Sequence, residues 1–148
     1  MPSAQFATFL VGPLYFGVEV LSVQEVIRYQ SMTPVPRAPA IVKGLINLRG
    51  QIVTAIDMRE RLGLPPRSAD TPPMNVVVRT DSGVVSLLVD AIDDVVEAEA
   101  SKFEPPPETL VGAVSTLVTG VFKLSGRLLL VLDVATACAV DGGPLGEA

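Results

Sequence analysis

The chain of 148 residues has no histidine, no tryptophan and a single cysteine, and aromatic residues make up only 5% of it. Each shortage closes off a class of chemistry. Without histidine no Ser-His-Asp or Cys-His nucleophile can be assembled, and no side chain of that type can carry a phosphoryl group. A zinc site of the Cys/His type is equally out of reach, so neither a metal nor a cofactor is expected. Cys138 lies in an apolar run near the C-terminus and reads as a small buried hydrophobe. A lone cysteine also fits a reducing, cytoplasmic setting. Basic residues are scarce as well: 11 Lys and Arg face 16 Asp and Glu, a net charge of −5. A nucleic-acid partner needs a concentrated basic face and stacking aromatics, and this chain supplies neither.

Apolar residues, by contrast, reach 49%, ample for the core of about one ordinary domain. Met1–Val18 carries no ionised side chain. It lacks the basic start and small-residue cleavage site of a signal peptide, and Gly12-Pro13 interrupts it well short of a membrane-spanning helix. No membrane insertion is expected, and the segment reads as two strands of a hairpin.

The chain is organised as two copies of one unit. Ile41–Arg59, IVKGLINLRGQIVTAIDMR, matches Leu117–Ala135, LVTGVFKLSGRLLLVLDVA, without a gap. Gly44 and Gly120, Gly50 and Gly126, and Asp57 and Asp133 each lie 76 positions apart. Each copy reads as strand, tight turn, strand, short helix. Leu45–Leu48 and Ile52–Ile56 are apolar runs of strand length. Gly50 between them suits a turn that needs positive φ. Asp57 stands at a helix start with Glu60 three residues on, the spacing of a capping box. Gly63 and Pro65-Pro66 end that helix.

The repeat separates what folding needs from what it does not. The glycines, aspartates and apolar positions are shared. Arg49 is not, since its twin is Ser125, and Asn47 faces Lys123. The turn therefore does not require an arginine. Arg49 is either free for a role special to the first half or a local partner for Glu25 or Asp57. A carboxylate pair of Glu25 with Asp57 is the one hydrolytic arrangement left open, and capping already explains Asp57.

Elsewhere, Gln5–Val11, Leu14–Leu21 and Val23–Tyr29 read as strands, with Val23, Glu25 and Ile27 on one side if the last is extended. Thr33–Pro39 is proline-punctuated, Ala38–Lys43 suits a short helical turn, and Pro65–Pro73 is a polar link between the halves. Met74–Arg79 and Val84–Val89 flank Asp81-Ser82-Gly83, a hairpin signal. Val20–Val26 resembles Val89–Val95 at an offset of 69, so the duplication runs nearly end to end. Asp90, Asp93, Asp94, Glu97 and Glu99 read as a solvated acidic face, without the glycine-centred ligand pattern of a calcium loop. Glu104–Glu108 is a connector, a short helix follows Ala135, and Asp141–Ala148 reads as a frayed tail. About ten short strands with glycine turns indicate a mainly β chain of two small barrels, too small to stand alone and packed across a shared apolar seam.

Phe16-Gly17-Val18, Val23-Gln24-Glu25-Val26, Thr33-Pro34-Val35-Pro36, Val42-Lys43-Gly44-Leu45-Ile46-Asn47-Leu48-Arg49-Gly50 and Asp57-Met58-Arg59 together resemble the CheW-like domain. Leu88-Val89-Asp90 and Thr119-Gly120 resemble it in the second half, and the likeness extends over about Phe6 to Val140. Thr54-Ala55 departs from the Pro-Val that the family often carries. The resemblance implies one domain over residues 1–148, made of two five-stranded SH3-like barrels. The first would occupy about 12–64 and the second about 74–134, with the terminal segments completing them. It implies a free-standing, non-catalytic adaptor that couples methyl-accepting chemotaxis receptors to the histidine kinase CheA, in cytoplasmic arrays at the inner membrane face. A scaffold of a pilus or gene-regulation system is the alternative. By the same resemblance Val23, Glu25, Gly44 and Arg49 fall at receptor-contact positions in a groove between barrels, and surfaces away from the groove meet CheA.

Overall fold

The structure is a computed structural model and describes residues 3–139. The expected tail at Asp141–Ala148 lies outside the described residues. Ten strands and three short helices follow one another as β1 (Ser3–Val11), β2 (Leu14–Glu19), β3 (Val23–Ile27), β4 (Val42–Leu48), β5 (Gln51–Asp57), α1 (Met58–Leu62), β6 (Met74–Thr80), β7 (Gly83–Val89), β8 (Ala91–Glu99), α2 (Ala113–Leu117), β9 (Val118–Leu124), β10 (Arg127–Leu132) and α3 (Val134–Cys138). They form two five-stranded sheets. Sheet I has the order β3-β6-β7-β5-β4 and sheet II the order β8-β1-β2-β10-β9.

The sheets do not follow the sequence halves. The hairpin β6–β7 lies in sheet I with β3, β4 and β5, while β1–β2 lies in sheet II with β8, β9 and β10. Each repeat lends its leading hairpin to the other. The exchange is symmetric in register: parallel pairing of Thr54 with Val85 is matched by Leu130 with Phe16, displaced by 76 on one strand and 69 on the other. The short connections fit it. Parallel strands of one sheet need a crossover of about a dozen residues or more. Only Val20–Ser22 separates β2 from β3, and only Asp90 separates β7 from β8. Neither connection can return across its own hairpin as a parallel crossover, and each leads instead into the other sheet. The division at about 12–64 and 74–134 thus differs from the sheets: strands 23–89 build sheet I, and both ends of the described chain build sheet II.

Two smaller clusters fill the sheets' own concave sides, six buried residues around Ile46 and Val53 in sheet I and five around Phe6 and Leu129 in sheet II. The largest cluster joins them. Its 18 buried residues include Phe9, Phe16 and Leu130 from sheet II and Ile56, Val78 and Leu87 from sheet I. Most of the buried apolar surface therefore belongs to both sheets at once, as a shared seam requires.

Asp57 caps α1 as its position suggests, accepting from the Arg59 amide at 3.0 Å. The reciprocal half of the capping box does not form, because the Asp57 amide already donates to the Ile41 carbonyl at 2.7 Å. The twin bond runs from the Asp133 amide to Leu117, and Thr136 takes the place of the missing acid by donating both its amide and its hydroxyl to Asp133. Ala38–Lys43 contains one turn, closed between the Val42 amide and Pro39.

Candidate docking site

The β4–β5 hairpin closes on Arg49-Gly50, and both residues have positive φ, 51° and 90°. That is the requirement of a two-residue type I′ turn. Gly50 meets it without a steric penalty, whereas arginine does so at a cost of order 1 kcal/mol or more. Asn47 pins the turn by accepting from the Gly50 amide at 2.8 Å. In the second hairpin only Gly126 has positive φ; Ser125 does not. The left-handed arginine is thus a property of the first repeat alone.

β3 and β4 are the two edge strands of sheet I and no ladder joins them; the loop between them makes a single bridge to β4, Thr33 with Leu45. Each sheet is accordingly an open, curled SH3-like sheet rather than a hydrogen-bonded closed barrel. Arg49 spans the gap: its Nη2 donates to Glu25 on β3. The hydrogen bond from the Arg49 guanidinium, helped by its charge, holds the Glu25 carboxyl below the usual carboxylate range against the opposing effect of desolvation. Sheet II has a comparable clasp, Arg127 to Asp93 at 2.9 Å, with the guanidinium stacked 4.1 Å from the centre of the Tyr15 ring.

The four residues singled out in sequence do not form one patch. A bulge between Val23 and Glu25 pairs them with Val78 and Val77, which are consecutive and so face opposite sides of β6. Val23 packs against the shared seam, while Glu25 and Ile27 turn the other way, Ile27 onto the sheet I interior. The reading of Val23, Glu25 and Ile27 on one side of a strand fails at that bulge. Gly44 is buried, and its missing side chain is already used. A Cβ there would stand 2.6 Å from the Thr33 carbonyl oxygen, where the proline loop crosses β4. Gly120 admits Phe103 in the same way, with a Cβ 2.1 Å from the ring. Both glycines thus serve the shared fold. Around the Arg49 turn, Ile52 and Val26 stay exposed, at 61% and 38%.

Glu25 and Asp57 share no partner, so the carboxylate pair is not assembled. Asp57 instead faces Arg67 at 3.3 Å and Lys43 at 3.8 Å. Among the described residues no group of three or more His, Cys, Asp or Glu side chains is gathered to hold a metal. Burial pushes the Cys138 thiol up to about 12. No helix among the described residues is long and apolar enough to cross a membrane.

One ionic cluster was missed from sequence. Asp90 does not belong to the solvated acidic face. Its side chain is 18% exposed and accepts from the Gly12 amide at 2.6 Å, from Arg59 in a fork at 2.9 and 2.7 Å, and from Arg67 at 3.1 Å. The signal was available, since the twins of Asp90 and Arg59 are Leu21 and Ala135. Both charges are as specific to one repeat as Arg49.

Across residues 5–139 the sequence matches the CheW-like domain. The chain belongs to the CheW-like family. It is 32% identical over 130 residues to the chemotaxis protein CheW of Klebsiella aerogenes, covering 88% of this chain and 78% of that one. It is 31% identical to the chemotaxis protein CheW of Rhizobium meliloti, covering 88% and 84%. The crystal structure of the scaffolding protein TtCheW from Thermoanaerobacter tengcongensis superposes with a TM-score of 0.87 at 26% identity, over 98% of each chain. CheW-like proteins are non-catalytic scaffolds of chemotaxis, and this chain is a scaffold rather than an enzyme.

Proposed function

We propose that the chain couples methyl-accepting chemoreceptors to the histidine kinase CheA within a cytoplasmic signalling array. The first repeat offers the receptor a site at the open edge of sheet I, built on Arg49 and Glu25 with Val23 behind it on the seam side. The receptor's helical tip lays an apolar face on this region, the helix-in-groove mode. Arg49 supplies planar donors for carboxylates or carbonyls on that tip. Gly44 contributes by letting the proline loop lie close to β4. CheA engages surfaces away from this edge, and kinase output follows from how the assembly shifts CheA between states.

The observation that carries this reading is the Arg49 turn. An arginine absent from the equivalent turn is held in a costly backbone conformation, with its side chain 73% exposed, at a place where folding does not ask for it. Strain of that kind collects at functional sites. Pull-down of a receptor cytoplasmic fragment tests it: Arg49→Glu should lose the fragment while melting as the wild type does, and retained capture removes Arg49 from the site.

A second reading differs only in the pathway served. The chain is also 29% identical over 126 residues to protein FrzA of Myxococcus xanthus, covering 85% of this chain. The alternative is a scaffold of a pilus or gene-regulation system. Capture of receptors and kinases from the native cell, identified by mass, separates the two.

A further inference from the structure

Asp90 is the single residue between β7 of sheet I and β8 of sheet II, and groups from three separate segments converge on its carboxylate. The Gly12 amide comes from the tip of the β1–β2 hairpin in sheet II. Arg59 comes from α1, which extends β5 of sheet I, and its Nη1 also donates to the Pro65 carbonyl at 2.9 Å. Arg67 comes from the link between α1 and β6. The backbone joins in, since the Asp90 amide donates to the Leu10 carbonyl at 2.9 Å. Arg67 completes the circuit back to Asp57, and its side chain is only 11% exposed. One of its nitrogens, Nη2, stands 3.0 Å from Asp90 without making a hydrogen bond. Asp90 thus lies between two guanidinium groups, and removing its charge would leave Arg59 without its ion-pair partner and Arg67 with Asp57 alone.

The seam beneath is apolar and so has no strong directional preference. A bidentate fork does have one. We propose that Asp90 is a positioning residue: it clasps the hairpin tip of one sheet, the helix of the other and the link between them, and so fixes how the two halves are offered together to a partner. A scaffold that engages different proteins with different faces needs those faces held in one geometry, a need that rests on the docking role proposed above. The Gly12-Pro13 turn has its place here. The Gly12 amide, together with the Leu10 carbonyl, ties sheet II to the clasp.

The clasp has consequences of its own and consequences for binding. Asp90→Asn removes the charge at nearly constant volume, and Arg67→Gln is the milder variant that leaves the Arg59 fork in place. Amide hydrogen exchange should show Gly12 and Thr71, whose amide closes a turn of the Arg67 link onto the Ser68 carbonyl at 3.0 Å, exchanging faster together in Asp90→Asn, with Thr71 alone affected in Arg67→Gln. The amide of Val77, deep in sheet I, should stay protected in both. In co-sedimentation with a receptor cytoplasmic fragment and CheA, Asp90→Asn should weaken assembly on the order of tenfold, an ordinary coupling between linked sites. Val53→Ala, a cavity in the sheet I interior that lowers the melting temperature without touching the clasp, should assemble normally. Unchanged exchange at Gly12 in Asp90→Asn overturns the clasp itself. Faster exchange with normal assembly, or an equal loss in Val53→Ala, overturns its positioning role. Arg49→Ala in the same assay keeps the two ideas apart: if it assembles normally the docking reading fails, while the exchange result still decides the clasp.

Discussion

Arg49 reaches across the open edge of sheet I to Glu25, and the two ends of that ion pair sit at different depths. The arginine side chain is 73% exposed and the glutamate 18%. An exposed pair adds little to folding, because solvent screens it and ordering a long side chain costs entropy. Its value lies in holding a guanidinium group in place at the surface. Reversing the pair, Arg49→Glu with Glu25→Arg, restores the attraction but moves the cation off the turn. The doubly substituted protein should melt within roughly 2 °C of wild type. It should bind a receptor fragment about thirtyfold or more weakly, the loss expected when a central anchor is removed. Titration calorimetry alongside thermal melting checks both halves.

Gly44 and Gly120 are equivalent in the repeat but are not expected to respond equally to a methyl group. At Gly44 the added Cβ meets backbone, the Thr33 carbonyl oxygen at 2.6 Å, which moves only if the proline loop moves. At Gly120 it meets the Phe103 ring, which is 43% exposed and has room to swing outward. Gly44→Ala should cost about 1–3 kcal/mol of stability, the usual range for overpacking, and Gly120→Ala clearly less. Urea denaturation of the two variants measures the difference.

Acid should act through Asp90. Burial opposes its charge, but the hydrogen bonds from Arg59, the Gly12 amide and Arg67 hold its carboxyl down to about 2, against an ordinary value of 3.8. A carboxyl whose folded value is depressed adds stability above its unfolded value and loses it as the pH falls through the folded one. The contribution, about 2 kcal/mol, should be complete above roughly pH 5 and disappear between about pH 4 and pH 2. Asp90→Asn should be less stable than wild type at neutral pH and should lack that part of the acid-induced loss. Denaturation midpoints across this range test it.

The shared seam predicts how the chain melts. Phe9 and Phe16, both fully buried, stack at 5.8 Å within a cluster drawn from both sheets. Phe16→Ala should cost about 3–5 kcal/mol and lower one common transition. Differential scanning calorimetry should show a single peak, with equal calorimetric and van't Hoff enthalpies, in wild type and variant alike.

Much of this architecture is legible in the sequence. The 76-residue offset found both hairpins with their glycine turns and both capping aspartates, because tight turns and helix starts are set by local residues. It also isolated Arg49 by contrast with Ser125. The exchange of hairpins was less visible, because pairing between distant strands leaves no local pattern. Yet the three residues between β2 and β3 are too few for a parallel return across the β1–β2 hairpin. The bulge at Gln24 was hidden as well, since alternation in Val23–Ile27 looks the same with or without it until the partner strand is known. Asp90 was hidden by its company. It opens a run of acids that includes exposed Asp94, Glu97 and Glu99, and nothing next to it in sequence reveals the two arginines that close over it from 23 and 31 positions away.

The role proposed for this chain is to join two other proteins, with the Arg49 edge as the receptor side. Co-sedimentation with a receptor signalling fragment and CheA, scored for kinase activity, addresses it most directly. Wild type should bring both partners into one kinase-active assembly, and Arg49→Glu should still bind CheA while failing to recruit the receptor fragment. A wild-type protein that joins neither partner, or an Arg49→Glu protein that assembles and activates fully, would contradict the account.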